Sequence, residues 1–292
     1  MANTLTLREE YITALDEALK LETKTSNLGC PAEVKAAADR AEKIQIPKID
    51  MDGPAKYSKT AGWVDGGVTW DYEEVVCDYD RGRKFTVDAV DNIDTAGGLY
   101  AQLMKNYIRR YEAPELDAYR FAKLAGTTGI GTTEGAALTT GTAVLAALRV
   151  GVSTLDEAEV PDEGRVLYIT KTLLGLVEDL DTTKSRAVLN SFTKIITVPQ
   201  SRFYTAITLL DGTTSGQEAG GYVKDETNGA DINFLIVYEP GVLSYVKHNV
   251  QKIVSPEANQ QTDGWLFFER TVALCQVLDE KKPGIYLHKA AA

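Results

Sequence analysis

The segment Asp78–Asn92, DYDRGRKFTVDAVDN, holds four acids and three bases within fifteen residues. After the charges, Phe85 and Val87 alternate with polar residues, which is the two-residue period of a β-strand. Gly82 lies between two arginines, where a tight turn tolerates a positive φ angle. The pattern therefore predicts a hairpin in which a strand starting at Val68 turns at Gly82 and returns as residues 84–90.

Neither face of the predicted outgoing strand is consistently apolar, because Val68, Trp70 and Tyr72 share their face with Glu74. A two-stranded hairpin is marginal in water by itself. The hairpin is therefore expected to lie on another surface, such as a second copy of the chain.

A long helix is predicted directly after this segment. Asp94 is a suitable N-cap residue, and apolar residues such as Leu99, Leu103 and Tyr107 recur at helical spacing. Pro114 predicts a break or kink near Ala113–Pro114, and the helix is expected to end near Gly126.

Residues 1–54 are interpreted as an arm. An amphipathic helix is predicted up to about Thr23 and a second short helix over Val34–Lys43, after Pro31. An irregular region containing Pro47, Pro54 and several glycines follows.

Helices and strands alternate through the rest of the chain. The sequence predicts, in order, a loop over 125–142, a helix over 143–159, a strand over 166–169, a helix from Lys171, a strand near Ile195, a polar loop over 210–231, a strand over 233–238, a short helix over 241–248 and two closing strands. The fold class is α+β.

Composition limits the classes of partner and the cellular environment that are expected for the chain. The net charge of −11 argues against nucleic acid as the main partner. The odd cysteine count and the absence of a signal-like start indicate a reducing, cytoplasmic folding environment. No apolar run reaches the length of a membrane span, so no membrane partner is expected.

No catalytic constellation is apparent. Asp78 and Asp80 form a D-x-D pair, but a hard cation needs further oxygen ligands. His248 and His288 lack metal-ligand spacing, Cys77 has no histidine placed to activate it, and the glycine-rich stretch 126–135 lacks the lysine of a phosphate loop. The protein is expected to be no enzyme and to use no metal or cofactor, while a metal-dependent enzyme centred on Asp78 and Asp80 stays open as an alternative.

Four segments, read in order, resemble the major capsid proteins of tailed bacteriophages with the Hong Kong 97-like fold. They are the arm segment KIQIPKIDMDG (43–53), the DR-x-R-x-F-x-V-D pattern at Asp80–Asp88, the P-E-x-D-A-Y-R motif at Pro114–Arg120, and the closing segment from Ile232 to His288. The resemblance covers roughly residues 43–290.

The resemblance implies a fold with an N-terminal arm, an extended β-hairpin loop, a long spine helix, and peripheral and axial domains. The expected divisions are 1–54 for the arm, 55–90 for the extended loop, 91–126 with 247–292 for the peripheral domain, and 127–246 for the axial domain.

The resemblance also implies a self-assembling shell of hexamers and pentamers, an icosahedral phage head that encloses double-stranded DNA. Scaffold, portal and decoration proteins are expected partners, with weak, non-specific DNA contact. Assembly in the bacterial host cytoplasm and residence in the virion capsid follow. A second reading with the same fold is an encapsulin-type compartment that encloses cargo proteins.

Contacts between subunits are the expected role of the charged and aromatic residues in these motifs: Asp80, Arg81, Arg83, Asp88, Trp63, Trp70, Arg110 and Glu115. Arg81 and Arg83 are expected to pair with carboxylates of another subunit.

Overall fold

The computed structural model describes residues 23–39, 43–60, 62–89, 105–135 and 138–291. The predicted helix before Thr23 and the predicted helix start at Asp94 lie outside these residues. The described chain is a mixture of helices and strands, as the sequence predicts.

The arm enters a hairpin. Helix α1 (Ala32–Ala38) precedes strands β1 (Lys43–Met51) and β2 (Val68–Val76), which pair antiparallel with Lys43 opposite Val76 and Met51 opposite Val68. The partner of β2 is thus β1, and the predicted hairpin turn at Gly82 is wrong. Residues 52–60 and 62–67 belong to the hairpin tip.

Gly82 lies inside strand β3 (Tyr79–Asp88), which pairs with β11 (Gly264–Val277) near the end of the chain. Strand β10 (Val242–Val254) lies on the other side of β11, so the sheet order is β10-β11-β3. The predicted helix over 241–248 is wrong. Pro240 sits in a single 3₁₀ turn, Glu239–Gly241, and the β-branched and aromatic residues that follow pair with β11.

The spine helix changes its winding just before Pro114. A π-helical turn, Ile108–Glu112, leads into α2 (Ala113–Gly126). Proline lacks the N–H that would continue the α-helical bonding, so an irregular turn on its N-terminal side accommodates it. This change of winding lies where the sequence predicts a break or kink, and the backbone stays helical through it.

The three-stranded sheet belongs to one body of the chain. A five-stranded sheet with the order β4-β12-β9-β5-β6 forms the second body. Its strands are β4 (Gly131–Gly135), β5 (Arg165–Ile169), β6 (Lys194–Thr197), β9 (Ile232–Tyr238) and β12 (Ile285–Ala290). Helices α3 (Gly141–Glu157), α4 (Lys171–Glu178) and α5 (Thr183–Leu189) accompany it. Strand β4 replaces part of the predicted loop over 125–142, and α5 was not predicted.

The five-stranded sheet draws on both predicted domains, and the predicted polar loop contains a strand. Strand β12 belongs to the predicted peripheral segment, yet it pairs with β9 and β4 of the predicted axial segment. The polar loop 210–231 contains β8 (Tyr222–Lys224), which pairs with β7 (Ile207–Leu209). Further 3₁₀ turns are Gln200–Arg202, Pro256–Ala258 and Asp279–Gly284.

The main core joins the two bodies. Leu116, Phe121 and Leu124 of α2 are buried with residues of both sheets, including Val237 and Ala273. The spine helix is therefore the shared wall of the two sheets.

Gly82→Ala is expected to lower the free energy of unfolding by about 1–3 kcal/mol, since overpacking forces backbone shifts. A Cβ atom on Gly82 would lie 2.6 Å from the Glu269 carbonyl oxygen across the ladder. Chemical denaturation measures the change.

Gly175→Ala in α4 is the matched control. A Cβ atom there meets no atom within 4 Å, and alanine favours a helix by about 1 kcal/mol. Equal stability changes in the two variants would contradict the close approach at Gly82.

Candidate inter-subunit surface and the polar layer beside it

One face of the β1–β2 hairpin is apolar and exposed. The register places Pro47 opposite Tyr72, Ile49 opposite Trp70, and Met51 opposite Val68. Residues directly opposite each other in a sheet share a face, so these six side chains form one surface, which we call the hairpin face. Val68 is 70% exposed and Trp70 is 57% exposed. Towards the base the same face carries Gln45 opposite Glu74, so the mixed character expected of β2 is confirmed there and the apolar part is the outer half.

The tip continues the aromatic character. Trp63 is 87% exposed, and its only described ring partner is Tyr57, at a centroid distance of 4.9 Å. Both tryptophans predicted to contact other subunits thus lie on the exposed part of the hairpin.

The base of the hairpin is fixed to the body of the chain. Ile44 and Val75 are buried with Leu243 and Leu274 of the three-stranded sheet. Glu73 accepts hydrogen bonds from Gln276 Nε2 at 2.9 Å and from the Asp279 amide at 3.1 Å. The hairpin is thus held at one end while its apolar face stays uncovered by the described residues.

Strand β3 presents two different faces. Tyr79, Arg81, Phe85 and Val87 are buried or half-buried, whereas Asp80 and Asp88 are exposed. Asp80 accepts two hydrogen bonds from Arg270 of its own chain, at 2.9 and 2.5 Å. These bonds lower the pKa of Asp80.

The inward arginines fasten the polar loop to β3. Arg81 Nε donates to Glu115 Oε1 at 2.7 Å, and its terminal nitrogen donates to the carbonyl oxygens of Leu210 and Gly221 at 2.7 and 3.2 Å. Arg83 donates to the Glu218 carbonyl oxygen at 2.9 Å. The described partners of both arginines thus belong to the same chain, and their expected pairing with carboxylates of another subunit stays a prediction.

Buried carboxyl groups line a cavity of about 370 Å³ between β3, the spine helix and this loop. Glu112, Glu115 and Glu269 are each at most 6% exposed. Thr271 Oγ1 lies 2.8 Å from Glu112 Oε1 and 3.1 Å from Glu269 Oε1. Burial, followed by the Glu112 charge, raises the pKa of Glu269 to about 9. The Glu112–Glu269 pair therefore keeps a proton at neutral pH.

Asp117 fixes the segment that begins at Thr23. Its buried carboxylate accepts from the Lys24 amide at 2.8 Å, from the Thr25 amide and hydroxyl at 3.1 and 2.7 Å, and from Arg202 at 3.1 Å. Arg120 also donates to the Thr25 hydroxyl, at 2.7 Å. The sequence analysis did not predict that Asp117 holds this segment. A signal was present, because two acids at 115 and 117 lie in a mostly apolar helix, and acids that are buried in a protein nearly always have a partner.

The two carboxylates of the D-x-D pair have separate partners. Asp78 accepts from the Tyr119 hydroxyl and from Lys123, whereas Asp80 is held by Arg270. Within the described ranges, no group of three His, Cys, Asp or Glu side chains is arranged to hold a metal ion. His288 is buried against Phe234 and bonded to Asn233. The described helices include none long and apolar enough to cross a membrane.

Arg81→Met is expected to lower the free energy of unfolding by about 3–5 kcal/mol, because it leaves the buried Glu115 without its cation. Asp80→Asn, which breaks the exposed pair with Arg270, is the control and is expected to cost no more than about 1 kcal/mol. Urea denaturation of both variants measures the two changes. A larger loss for Asp80→Asn would contradict the burial difference.

Stability is expected to fall as pH rises from about 4.5 towards 9. In this window the unfolded chain releases the Glu269 proton and the folded chain retains it, so the slope approaches about 1.4 kcal/mol per pH unit for one proton. Glu269→Gln should flatten this slope and stabilise the protein at neutral pH. The exposed Glu226→Gln is the control, and an unchanged slope in Glu269→Gln would contradict the buried pair.

No protein-family model and no curated protein matches the sequence. Solved structures do match. A chain of Mycobacterium phage Che8 has a TM-score of 0.62 at 13% identity, covering 89% of this chain and 88% of that one. The capsid of cyanophage P-SCSP1u gives a TM-score of 0.59 at 14% identity, with coverages of 86% and 84%.

A virus-like particle from Pyrococcus furiosus gives a TM-score of 0.58 at 10% identity and covers 96% of this chain and 98% of that one. The mature capsid of bacteriophage PhiM1 is also similar. The arm, hairpin, spine helix and paired sheets of this chain form the Hong Kong 97-like fold of tailed-phage major capsid proteins.

Proposed function

We propose that the chain is the structural shell protein of an icosahedral phage head, in which hexamers and pentamers of the chain enclose double-stranded DNA. The observation that carries this proposal is the hairpin face, which is apolar, exposed and not covered by any described residue, while the base of the hairpin is packed against the body. Large exposed apolar surfaces mark sites of interaction with other proteins.

A second copy is the occupant that fits the hairpin face. A two-stranded hairpin with one apolar face gains stability when that face is covered. Burying each large apolar side chain contributes about 1.5–3 kcal/mol. Six such side chains, in three facing pairs, give a contact that each copy in a shell can offer to a neighbour.

The similarity of the fold to capsid chains supports the same conclusion. The proposal extends to the remaining expectations: a structural role without catalysis, weak contact with packaged DNA, scaffold, portal and decoration partners, and assembly in the host cytoplasm into the virion. The division into peripheral and axial domains belongs to it as well.

Among the residues predicted to make inter-subunit contacts, we place Trp63 and Trp70 at the contact itself. Asp88 and Arg110 are exposed and stay candidates. Asp80, Arg81, Arg83 and Glu115 have partners in their own chain. Any part that these four play in assembly therefore includes the support of β3 and the loop over 210–221.

Trp70→Ser combined with Met51→Ser is expected to lower the yield of shells at least tenfold, because it makes the centre of the hairpin face polar. Electron microscopy and sedimentation of the overexpressed protein measure assembly, and circular dichroism checks folding. Val150→Ser, on an exposed valine of α3, is the control. Normal shells from the double variant would overturn the proposed contact.

A compartment that encloses cargo proteins is the second candidate. It is favoured by the similarity to the virus-like particle, which spans nearly the whole of both chains. The contents of purified particles decide between the two: packaged DNA supports a phage head, and a co-purified enzyme supports a compartment.

A further inference from the structure

A basic groove lies where the spine helix meets the β7–β8 hairpin. Its volume is about 620 Å³, and its described lining includes Arg109, Arg110, Arg202 and Lys224 but no carboxylate. Arg202 and Lys224 are paired with Asp117 and Asp231 of the same chain, so the excess positive charge of the groove is centred on Arg110, in a chain whose net charge is −11.

The groove is held in a fixed shape. Arg202 is anchored by the buried Asp117 at 3.1 Å, and Lys224 pairs with Asp231 at 2.7 Å while its ammonium lies over the Tyr204 ring. Arg110 is exposed and makes no ion pair with any described residue. A preorganised cationic surface loses little entropy when an anionic partner binds.

An acidic turn connects α3 to β5. Residues 156–163 contain Asp156, Glu157, Glu159, Asp162 and Glu163, all exposed. Beneath them the buried Arg165 pairs with Asp156 at 2.6 Å and with Asp162 at 3.2 Å. Arg165 Nε also donates to the Pro161 carbonyl oxygen at 3.0 Å. The turn is therefore rigid, and the three glutamates remain without an ion pair to any described residue.

The groove and the turn lie at opposite ends of the five-stranded sheet. The acidic turn leads directly into Arg165, which pairs with Tyr238 at the carboxyl end of β9. Arg202 and Tyr204 of the groove follow Val198, whose amide donates to the Ile169 carbonyl oxygen at the other end of β5. Near the groove, Tyr204 pairs with Asp231, just before β9 begins. Five strand residues separate the two features by about 15 Å.

We propose that the basic groove of one copy receives the acidic turn of a second copy. This proposal rests on the proposed function, and the contact that it names lies between neighbouring copies within one hexamer or pentamer ring. Two different, complementary surfaces on one chain make a heterologous contact, and such contacts close into rings when the rotation permits. Opposite charges at opposite ends of one sheet orient neighbouring copies head to tail and speed their encounter.

A second copy fits the groove better than nucleic acid does. The net charge of −11 repels a polyanion and a second copy alike at long range, so the choice between them depends on what each brings to the groove. Each copy also brings its own acidic turn, at an effective concentration set by the other contacts of the ring.

Charge exchange tests the contact. Arg110→Glu alone, and Glu157→Lys with Glu163→Lys, should each lower the apparent association constant of the rings at least tenfold at 0.1 M salt. The three changes combined in one chain should restore most of it. Analytical ultracentrifugation measures association, and electron microscopy counts rings and shells. Lys252→Glu is the control for Arg110→Glu, and Glu257→Lys with Glu280→Lys is the control for the double reversal; all three residues are exposed, and the changes in net charge are the same.

High salt supplies an independent check. At 1 M salt charges are screened beyond about 3 Å. The association constant of the wild type should therefore no longer exceed that of Arg110→Glu or that of Glu157→Lys with Glu163→Lys. Equal effects of the control reversals, or no recovery in the combined variant, would overturn the proposal while leaving the shell function intact.

Duplex DNA of mixed sequence is the third arm. If Arg110→Glu weakens DNA binding in a mobility-shift assay and leaves ring formation unchanged, the groove holds nucleic acid and the proposal is wrong. A wild type that forms pairs sensitive to these charges, but never particles, would support the contact and count against the shell function.

Discussion

The pairing of β3 with β11 is the constraint on which the rest of the structure depends. It joins residues 79–88 to residues 264–273 over ten register positions, and it admits no side chain at Gly82, where the Glu269 carbonyl approaches. Because side chains alternate across a strand, this single register turns Tyr79 and Arg81 towards the spine helix and leaves Asp80 outside. Glu269 is thereby buried beside Glu112, and Arg81 reaches Glu115.

The resulting polar layer buries three carboxyl groups, and one arginine within it links three parts of the chain. Buried carboxyl groups are unfavourable unless they are paired or protonated, and both solutions occur: Glu115 is paired with Arg81, and the Glu112–Glu269 pair retains a proton. The same arginine holds the loop over 210–221 through two carbonyl oxygens. One guanidinium thus links β3, the spine helix and the second body of the chain, while the apolar hairpin face and the charged ends of the five-stranded sheet are left for contacts between copies.

Several elements were predictable because their signals are local. The strand before Thr170, the helix from Lys171 and an irregularity beside Pro114 follow from hydrophobic period and proline chemistry, and the structure contains the strand, the helix and a π-helical turn at that place. Strand β10 was misread because Pro240 looks like a helix start in isolation, whereas its whole length pairs with β11. The acids and bases of 78–92 were expected at an interface between copies, but the partners of Arg81 lie 34 to 140 residues away in the same chain, a distance that no local pattern reports.

The sequence by itself determined the α+β class, the order of the main elements and the resemblance to capsid proteins, since these depend on short-range periodicity and on motifs in a fixed order. Only the tertiary structure decided that β1 is the partner of β2, and hence that six exposed apolar side chains of the two strands share one face. It also decided that the charged segment beginning at Asp78 is an internal strand with one arginine-bearing face and one exposed face. Pairing between distant strands sets which side chains share a surface, and that choice depends on the burial available to the whole chain rather than on any stretch of it.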